Sequence, residues 1–353
     1  MRTKGASGHR FLDRIVEVPP DSVQPWAIVL AGGAGARLRQ LTLMLSGDDR
    51  PKQYARVVGR RSLLRQTLDR LALAISAERT VAVVTQTHAR YIAEEFGIAP
   101  TPRQIVQPTD RGTAAAILLA AQWVSWRDPD GVLVVFPSDH LILGELMFMT
   151  HVVSIAGFVD RHPERILIIG ASPTAPETEY GWIEPREPIE RIDGTLVSSV
   201  KRFLEKPPAT QARACLAQGW LWNTFIMAAK AATLVDVGWQ MLPELSERLS
   251  RIEPAVDSEY EPWAIDEAYA GLEPTNFSRD VLERCSSTLA VSRLPAGVTW
   301  LDLGSPDRVV RGLNEAGLTP PWLTMLKPIL KLRAAVPSWR SALSLASTED
   351  VSP

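Results

Sequence analysis

Trp26-Ala-Ile-Val-Leu30-Ala-Gly-Gly-Ala-Gly-Ala-Arg37 sets a short apolar run directly against a glycine-rich turn that closes on arginine. The run has the length and residue types of a buried strand. Gly32, Gly33 and Gly35 let the backbone turn tightly and bring its N–H groups close to an anion. Three readings of the turn compete. A dinucleotide fingerprint wants Gly-x-Gly-x-x-Gly, but counted from Gly33 the third glycine position holds Leu38. It also wants an acidic residue about 20 positions further on. There the chain reads Arg50-Pro-Lys52, just after Asp48 and Asp49. A Walker A loop needs Gly-Lys-Ser/Thr, which the turn lacks. The third reading is a structural strand–turn with no ligand. Arg37 shifts the balance toward a triphosphate, because a guanidinium grips phosphate through paired N–H groups.

Working outward, strand patterns over Thr80–Thr85, Gln104–Gln107, Val132–Pro137 and Ile166–Ala171 alternate with helical patterns near Ser62–Leu73, Ala89–Phe96, Gly112–Trp126 and Glu145–Arg161. Val132–Phe136 and Ile166–Ile169 are continuously apolar, as expected of strands covered on both faces. The alternation predicts an α/β fold with a mainly parallel sheet, whose ligands bind beyond the carboxyl ends of the strands. After residue 172 prolines punctuate the chain. Short strands at Tyr180–Glu184, Leu196–Glu205, Thr288–Leu294 and Thr299–Leu303 flank helices near Ala231–Ser250 and Trp263–Leu272. This half reads as an insertion covering the ligand edge. The expected organisation is an N-terminal extension (1–24), a first α/β half (25–172), a second half of the same domain (173–315) and a helical tail (316–353). The tail's Trp322–Arg340 stretch carries Lys327, Lys331, Arg333 and Arg340 and no acid, and is expected to pack on its own domain or a partner subunit.

Composition narrows the function. The 353 residues hold 38 Lys and Arg against 40 Asp and Glu, a net charge of -2, which argues against broad adhesion to nucleic acid or anionic membrane. Thr113–Trp126, the longest charge-free apolar stretch, is shorter than the roughly 20 residues of a membrane span. Residues 1–24 do not read as a signal peptide, so the expected location is the cytoplasm. Cys215 and Cys285 stand alone and the five histidines are scattered, so neither a disulfide framework nor a zinc site is expected. Only seven of the 38 basic residues are lysine. Two of them sit beside prolines at segment ends: Lys52 in Arg50-Pro-Lys-Gln53 and Lys206 in Phe203-Leu-Glu-Lys-Pro207. Asp139, in Pro137-Ser-Asp-His140, ends an apolar strand and is placed to hold magnesium between phosphates. Asp302, in Trp300-Leu-Asp-Leu-Gly304, is the second such carboxylate, while His140 reads as a packing residue.

The ordered set Leu-Ala-Gly-Gly-x-Gly-x-Arg, Arg-Pro-Lys-Gln, Gln-Pro-x-x-Arg-Gly-Thr-Ala, Pro-Ser-Asp-His, Tyr-Gly-Trp-Ile-Glu, Glu-Lys-Pro, Trp-Asn and Trp-x-Asp-x-Gly resembles the sugar-1-phosphate nucleotidyltransferases from about Trp26 to about Val310. It is most similar to the branch that joins GTP to mannose 1-phosphate. The resemblance implies a three-layer α/β/α sandwich with a mixed, mostly parallel Rossmann-like sheet. It also implies roles. Gly32, Gly33 and Gly35 would wrap the nucleotide, with Arg37 on its phosphates and Lys52 at the reacting phosphates. Gln107, Gly112 and Thr113 would contact the base, and Gly181, Glu184, Glu205 and Asn223 the sugar. Lys206 would hold the sugar phosphate, and Asp139 with Asp302 the magnesium ion. The implied partners are a nucleoside triphosphate and a sugar 1-phosphate, with no nucleic acid and no membrane insertion; a homo-oligomer is left open. Gln107 offers both a donor and an acceptor and so suits more than one base.

Two departures stand out. Thr224-Phe225 follows Trp222-Asn223 where the family usually has a small Ser-Gly pair, and Ser278 replaces an aspartate, with Asp280 nearby. Neither a cupin-like extension nor a hexapeptide repeat is present. A non-catalytic nucleotide-sugar-binding homologue is the rival these departures suggest, and a dinucleotide oxidoreductase is disfavoured by Leu38.

Overall fold

A computed structural model describes Val16, residues 22–97 and residues 101–325. The basic stretch beyond residue 325 and most of the N-terminal extension lie outside the described residues. Eleven strands are described: β1 (Trp26–Leu30), β2 (Thr80–Thr85), β3 (Arg103–Gln107), β4 (Val132–Pro137), β5 (His140–Leu143), β6 (Ile166–Ala171), β7 (Gly181–Ile192), β8 (Thr195–Glu205), β9 (Leu221–Lys230), β10 (Leu289–Arg293) and β11 (Thr299–Asp302). Nine of them form one sheet in the order β3-β2-β1-β4-β9-β6-β10-β8-β7, and β5 pairs with β11 in a separate ribbon. The β3-β2-β1-β4 part is parallel, and the sheet is mixed beyond it.

Strand alternation sends side chains to two cores. From β1, Ile28 joins one core while Ala27 and Val29 join the other. The first core lies under α4 (Gly112–Arg127), α7 (Ala231–Met241), α8 (Pro243–Ser250) and α9 (Glu261–Tyr269). The second lies under α2 (Leu63–Leu71), α3 (Ala89–Phe96), α5 (Glu145–Arg161) and α6 (Ala209–Ala217). Covering on both faces is why β2, β4 and β6 read as unbroken apolar runs. The result is the expected three-layer sandwich. A third, smaller cluster joins α1 (Arg39–Ser46), α10 (Pro306–Glu315), β5 and β11 at one end.

The second half of the chain does not cap this sheet; it completes it. β9 lies between β4 and β6, antiparallel to both. Asn223 and Thr224 interrupt its apolar pattern, so periodicity alone passes over it. Both polar side chains are nonetheless satisfied: Thr224 Oγ1 donates to the Ile169 carbonyl at 2.6 Å, and Asn223 Oδ1 accepts the Phe225 N–H at 2.8 Å. β7 runs on to Ile192 because Asp193 and Gly194, both at positive φ, turn it tightly into β8. The helical stretch expected over 231–250 is two helices, broken at Leu242 because Pro243 disfavours helical backbone before it.

Gly170, in β6, marks the tightest of these packings. An added Cβ would stand 2.8 Å from Leu221 Cδ1 and 2.9 Å from Leu221 Cβ. Gly170→Ala should therefore destabilise the fold by about 1–3 kcal/mol through overpacking, read as a lower urea midpoint with an unchanged slope.

Candidate active site

The glycine turn leaves β1 at the carboxyl end of the parallel strands and is braced from below. Gln53 Nε2 donates to the carbonyls of Ala31 and Gly33, each at 2.9 Å. Gly35 has φ 59°, and a Cβ there would come within 2.8 Å of the Lys52 nitrogen, so only glycine lets the turn lie on this segment. Gly32 presses as closely on Thr85 and Gln107. Arg37, at the end of the turn, pairs with Glu179 at 2.7 Å.

Two carboxylates converge on a buried lysine. Lys52, 4% exposed, places Nζ 3.1 Å from Asp139 Oδ2 and 3.2 Å from Asp302 Oδ1. The β5–β11 ribbon builds this arrangement, since its register sets Asp302 opposite His140, the residue after Asp139. His140 Nδ1 accepts the Trp300 indole N–H at 3.0 Å, and its Nε2 lies 3.8 Å from Asp139 and 3.9 Å from Asp302. Burial pushes the imidazole pKa down, so the ring is a neutral packing and hydrogen-bonding group beside the acids. Burial would raise the Asp302 carboxyl, but Lys52, His140 and Arg308 together outweigh it and hold it at about 2.

Asp139, Asp302, His140 and Trp300 line a cleft of about 310 Å³ that also holds Lys206, Glu205, Asn223 and Gly181; Lys52 lies behind its two carboxylates. Burial pushes the Glu205 carboxyl up, Lys206 opposes that shift, and Glu283 adds to it. Lys206 is half exposed, with Nζ 3.8 Å from Glu205. Gly181 faces Glu205 and Asn223 so closely that a Cβ would come within 2.9 Å of Glu205 Oε2. A second hollow of about 320 Å³ adjoins the cleft across Gly33 and Thr113, and contains Gln107 and Gly112. Gln107 Oε1 accepts from the Tyr269 hydroxyl at 2.9 Å, which turns its amide nitrogen toward Gly32. Gly112 has φ 83° and lies against the Thr275 carbonyl, and Thr113 Oγ1 accepts the Phe277 N–H. A larger hollow of about 520 Å³ beside α2, walled by Arg56, Arg60 and Arg65, contains none of these residues.

Glu184 is not brought to the cleft. It follows Ile183 in β7, so alternation turns it to the opposite side from Gly181, where it pairs with Lys201 at 3.0 Å and Arg202 at 2.7 Å. Ser278 lines the cleft, whereas Asp280 accepts the Asn276 N–H and serves as a local cap. Phe225 lines the cleft at φ 61°, a conformation that favours glycine. Gln53, Tyr180 and Trp300 line the cleft without having been given a role in the sequence reading, although each lay inside a quoted motif. The Tyr180 ring sits 5.0 Å from Trp222 and 5.5 Å from Trp300.

The nucleotidyl transferase family profile matches residues 26–316. The chain belongs to this family. XanB, a xanthan biosynthesis protein of Xanthomonas campestris, is 29% identical over 283 residues, covering 79% of this chain and 57% of that protein. Mannose-1-phosphate guanylyltransferase of Escherichia coli is 28% identical over 286 residues, covering 79% of this chain and 58% of the relative. The chain thus spans under two thirds of the length of these relatives. A solved structure from Thermus thermophilus, described as a mannose-1-phosphate geranyltransferase, aligns with a TM-score of 0.69 at 26% identity, covering 85% of this chain and 81% of that one. Both hollows of this nucleotidyl transferase fall within the matched residues.

Lys52→Met should cost about 1–3 kcal/mol at neutral pH by stranding two carboxylates beside each other. The folded pKa of Asp302 lies below its ordinary 3.8. Its stabilisation is therefore complete above that value and is lost as pH falls through about 2. Without Lys52 the acid limb of stability should move to higher pH, as read from urea midpoints across acidic buffers.

Proposed function

We propose that this nucleotidyl transferase moves a nucleotidyl group from a nucleoside triphosphate to a sugar 1-phosphate, releasing pyrophosphate. GTP and mannose 1-phosphate are the favoured pair, giving GDP-mannose. The observation that carries the reading is the meeting of Lys52, Asp139 and Asp302 between the glycine turn and Lys206. The names of the relatives support the choice of sugar and base.

The attacking phosphate oxygen is already an anion, so no general base is needed; the obstacle is bringing two polyanions together. The braced turn offers backbone N–H groups to the triphosphate. Arg37 would exchange Glu179 for phosphate, and Lys52 would exchange its carboxylates for the reacting phosphates. Lys206 would hold the sugar phosphate in line with the α-phosphorus. Bond formation from the sugar phosphate oxygen to that phosphorus accompanies departure of pyrophosphate, and the three cations offset charge building on it. The Gln107 amide nitrogen is turned to donate to a carbonyl acceptor of the base.

Among the described residues no group of three or more His, Cys, Asp or Glu is arranged to hold a metal ion. Asp139 and Asp302 do suit magnesium, a hard cation that takes one or two carboxylates and completes its shell with phosphates and water. When bound there it would supply Lewis-acid stabilisation of phosphate charge. Among the described residues no helix is long and apolar enough to cross a membrane. A reaction on these phosphorylated substrates would run in the cytoplasm.

The test is pyrophosphate release measured across four nucleoside triphosphates and the 1-phosphates of mannose, glucose, fucose and N-acetylglucosamine. A signal confined to GTP with mannose 1-phosphate is expected. A signal elsewhere in the matrix moves specificity to the pocket around Phe225, and nucleotide binding without any release overturns catalysis. Asp139→Asn should lower turnover by about 10²–10³-fold while lowering the melting temperature by only a few degrees, because Asp302 still faces Lys52; full activity in the folded variant refutes its role.

A further inference from the structure

Arg308 belongs to none of the motifs that carry the family resemblance. It lies in the first turns of α10, where its N–H bonds the Ser305 cap. Its side chain is only 8% exposed, yet Nη1 and Nη2 have no hydrogen-bond partner. A buried guanidinium with unpaired N–H groups is costly, and a chain that needed only packing there would do better with an apolar residue. What the charge faces is Asp302: Nη2 stands 3.5 Å from Oδ2, while Lys52 meets the other oxygen, Oδ1. The guanidinium also lies over the Tyr180 ring, 4.8 Å from its centroid. Gly304 makes the room, since a Cβ there would come within 2.1 Å of Nη2.

Charge arithmetic then decides what this arrangement does. Asp139 and Asp302 carry two negative charges, and Lys52 and Arg308 two positive ones, within one set of contacts. Before substrate arrives the cluster is neutral, and both oxygens of Asp302 face a cation. A divalent ion therefore gains little by entering alone. A triphosphate draws Lys52 away and adds its own negative charge, and the same carboxylates then attract the ion.

We infer that Arg308 is a positioning residue that makes divalent-cation binding conditional on the nucleotide: it holds the rear oxygen of Asp302 and cancels the charge that would otherwise trap a metal in the empty cleft. This rests on the reading of Asp139 and Asp302 as the cation carboxylates.

Manganese binding to the full chain, followed by electron paramagnetic resonance with and without GTP, tests it. The wild-type chain should bind Mn²⁺ weakly alone and at least about tenfold more tightly with GTP, since a charge a few ångströms away strongly alters ion affinity. Arg308→Met should tighten binding without nucleotide by about tenfold and flatten the difference that GTP makes. Arg308→Lys, which keeps the charge, should behave as wild type. Arg308→Gln, which removes the charge but keeps a polar side chain, should shift binding in the Met direction, which keeps the test open should Arg308→Met not fold. Unchanged or weaker Mn²⁺ binding in the nucleotide-free Met and Gln variants overturns the inference. Asp302→Asn separates the two layers. If GTP-dependent Mn²⁺ binding survives that change, the carboxylate reading itself fails; if it is lost while Arg308→Met has no effect, only the role of Arg308 falls.

Discussion

An ammonium group buried as deeply as that of Lys52 has to be neutralised where it stands, and this requirement organises one end of the molecule. Its two acids come from segments more than 160 residues apart in the chain: Asp139 from just after β4, and Asp302 from β11, which reaches the site by pairing with β5. Lys52 is pressed in turn under the glycine turn, whose shape depends on that contact at Gly35. One charge cluster thus ties the glycine turn, the central parallel strands and α10 into a single frame. The same electrostatics would serve the proposed reaction, in which substrates would outbid Glu179 for Arg37 and the carboxylates for Lys52.

Much of this was legible in the sequence, and what was not has physical causes. Apolar runs sandwiched between helices announce themselves, so β1, β2, β4 and β6 are readable from local pattern. β9 is not, because its identity as a strand depends on partners some 90 and 55 residues upstream that satisfy Thr224 and flank Asn223. The charged residues ending each strand were likewise readable, since chemistry at a strand's carboxyl end has a fixed address. Glu184 shows where that logic stops: its motif neighbours reach the cleft, but strand alternation sends its own side chain to Lys201 and Arg202. Arg308 shows the converse, a residue without any local signal whose importance comes only from what lies across from it.

Phe225 joins the two kinds of evidence. Its left-handed backbone explains why a glycine would suit the position, and the cost of an ordinary side chain there is about 1–2 kcal/mol. The aromatic ring recovers part of that by packing against the main core while forming one wall of the cleft. Backbone strain and pocket shape are therefore set by one residue.

The placement of β9 has a consequence for how the molecule is made. β4 ends at residue 137 but acquires its second neighbour only when residues 221–230 are available, and β6 waits for that strand and for β10 at 289–293. During synthesis at about 5–20 residues per second, one edge of β4 and both edges of β6 at the centre of the sheet stand open for several seconds. Pairings this distant in the chain are slow to close and sticky until they do. The nascent protein thus passes through an interval of exposed sheet edges that the finished fold no longer shows.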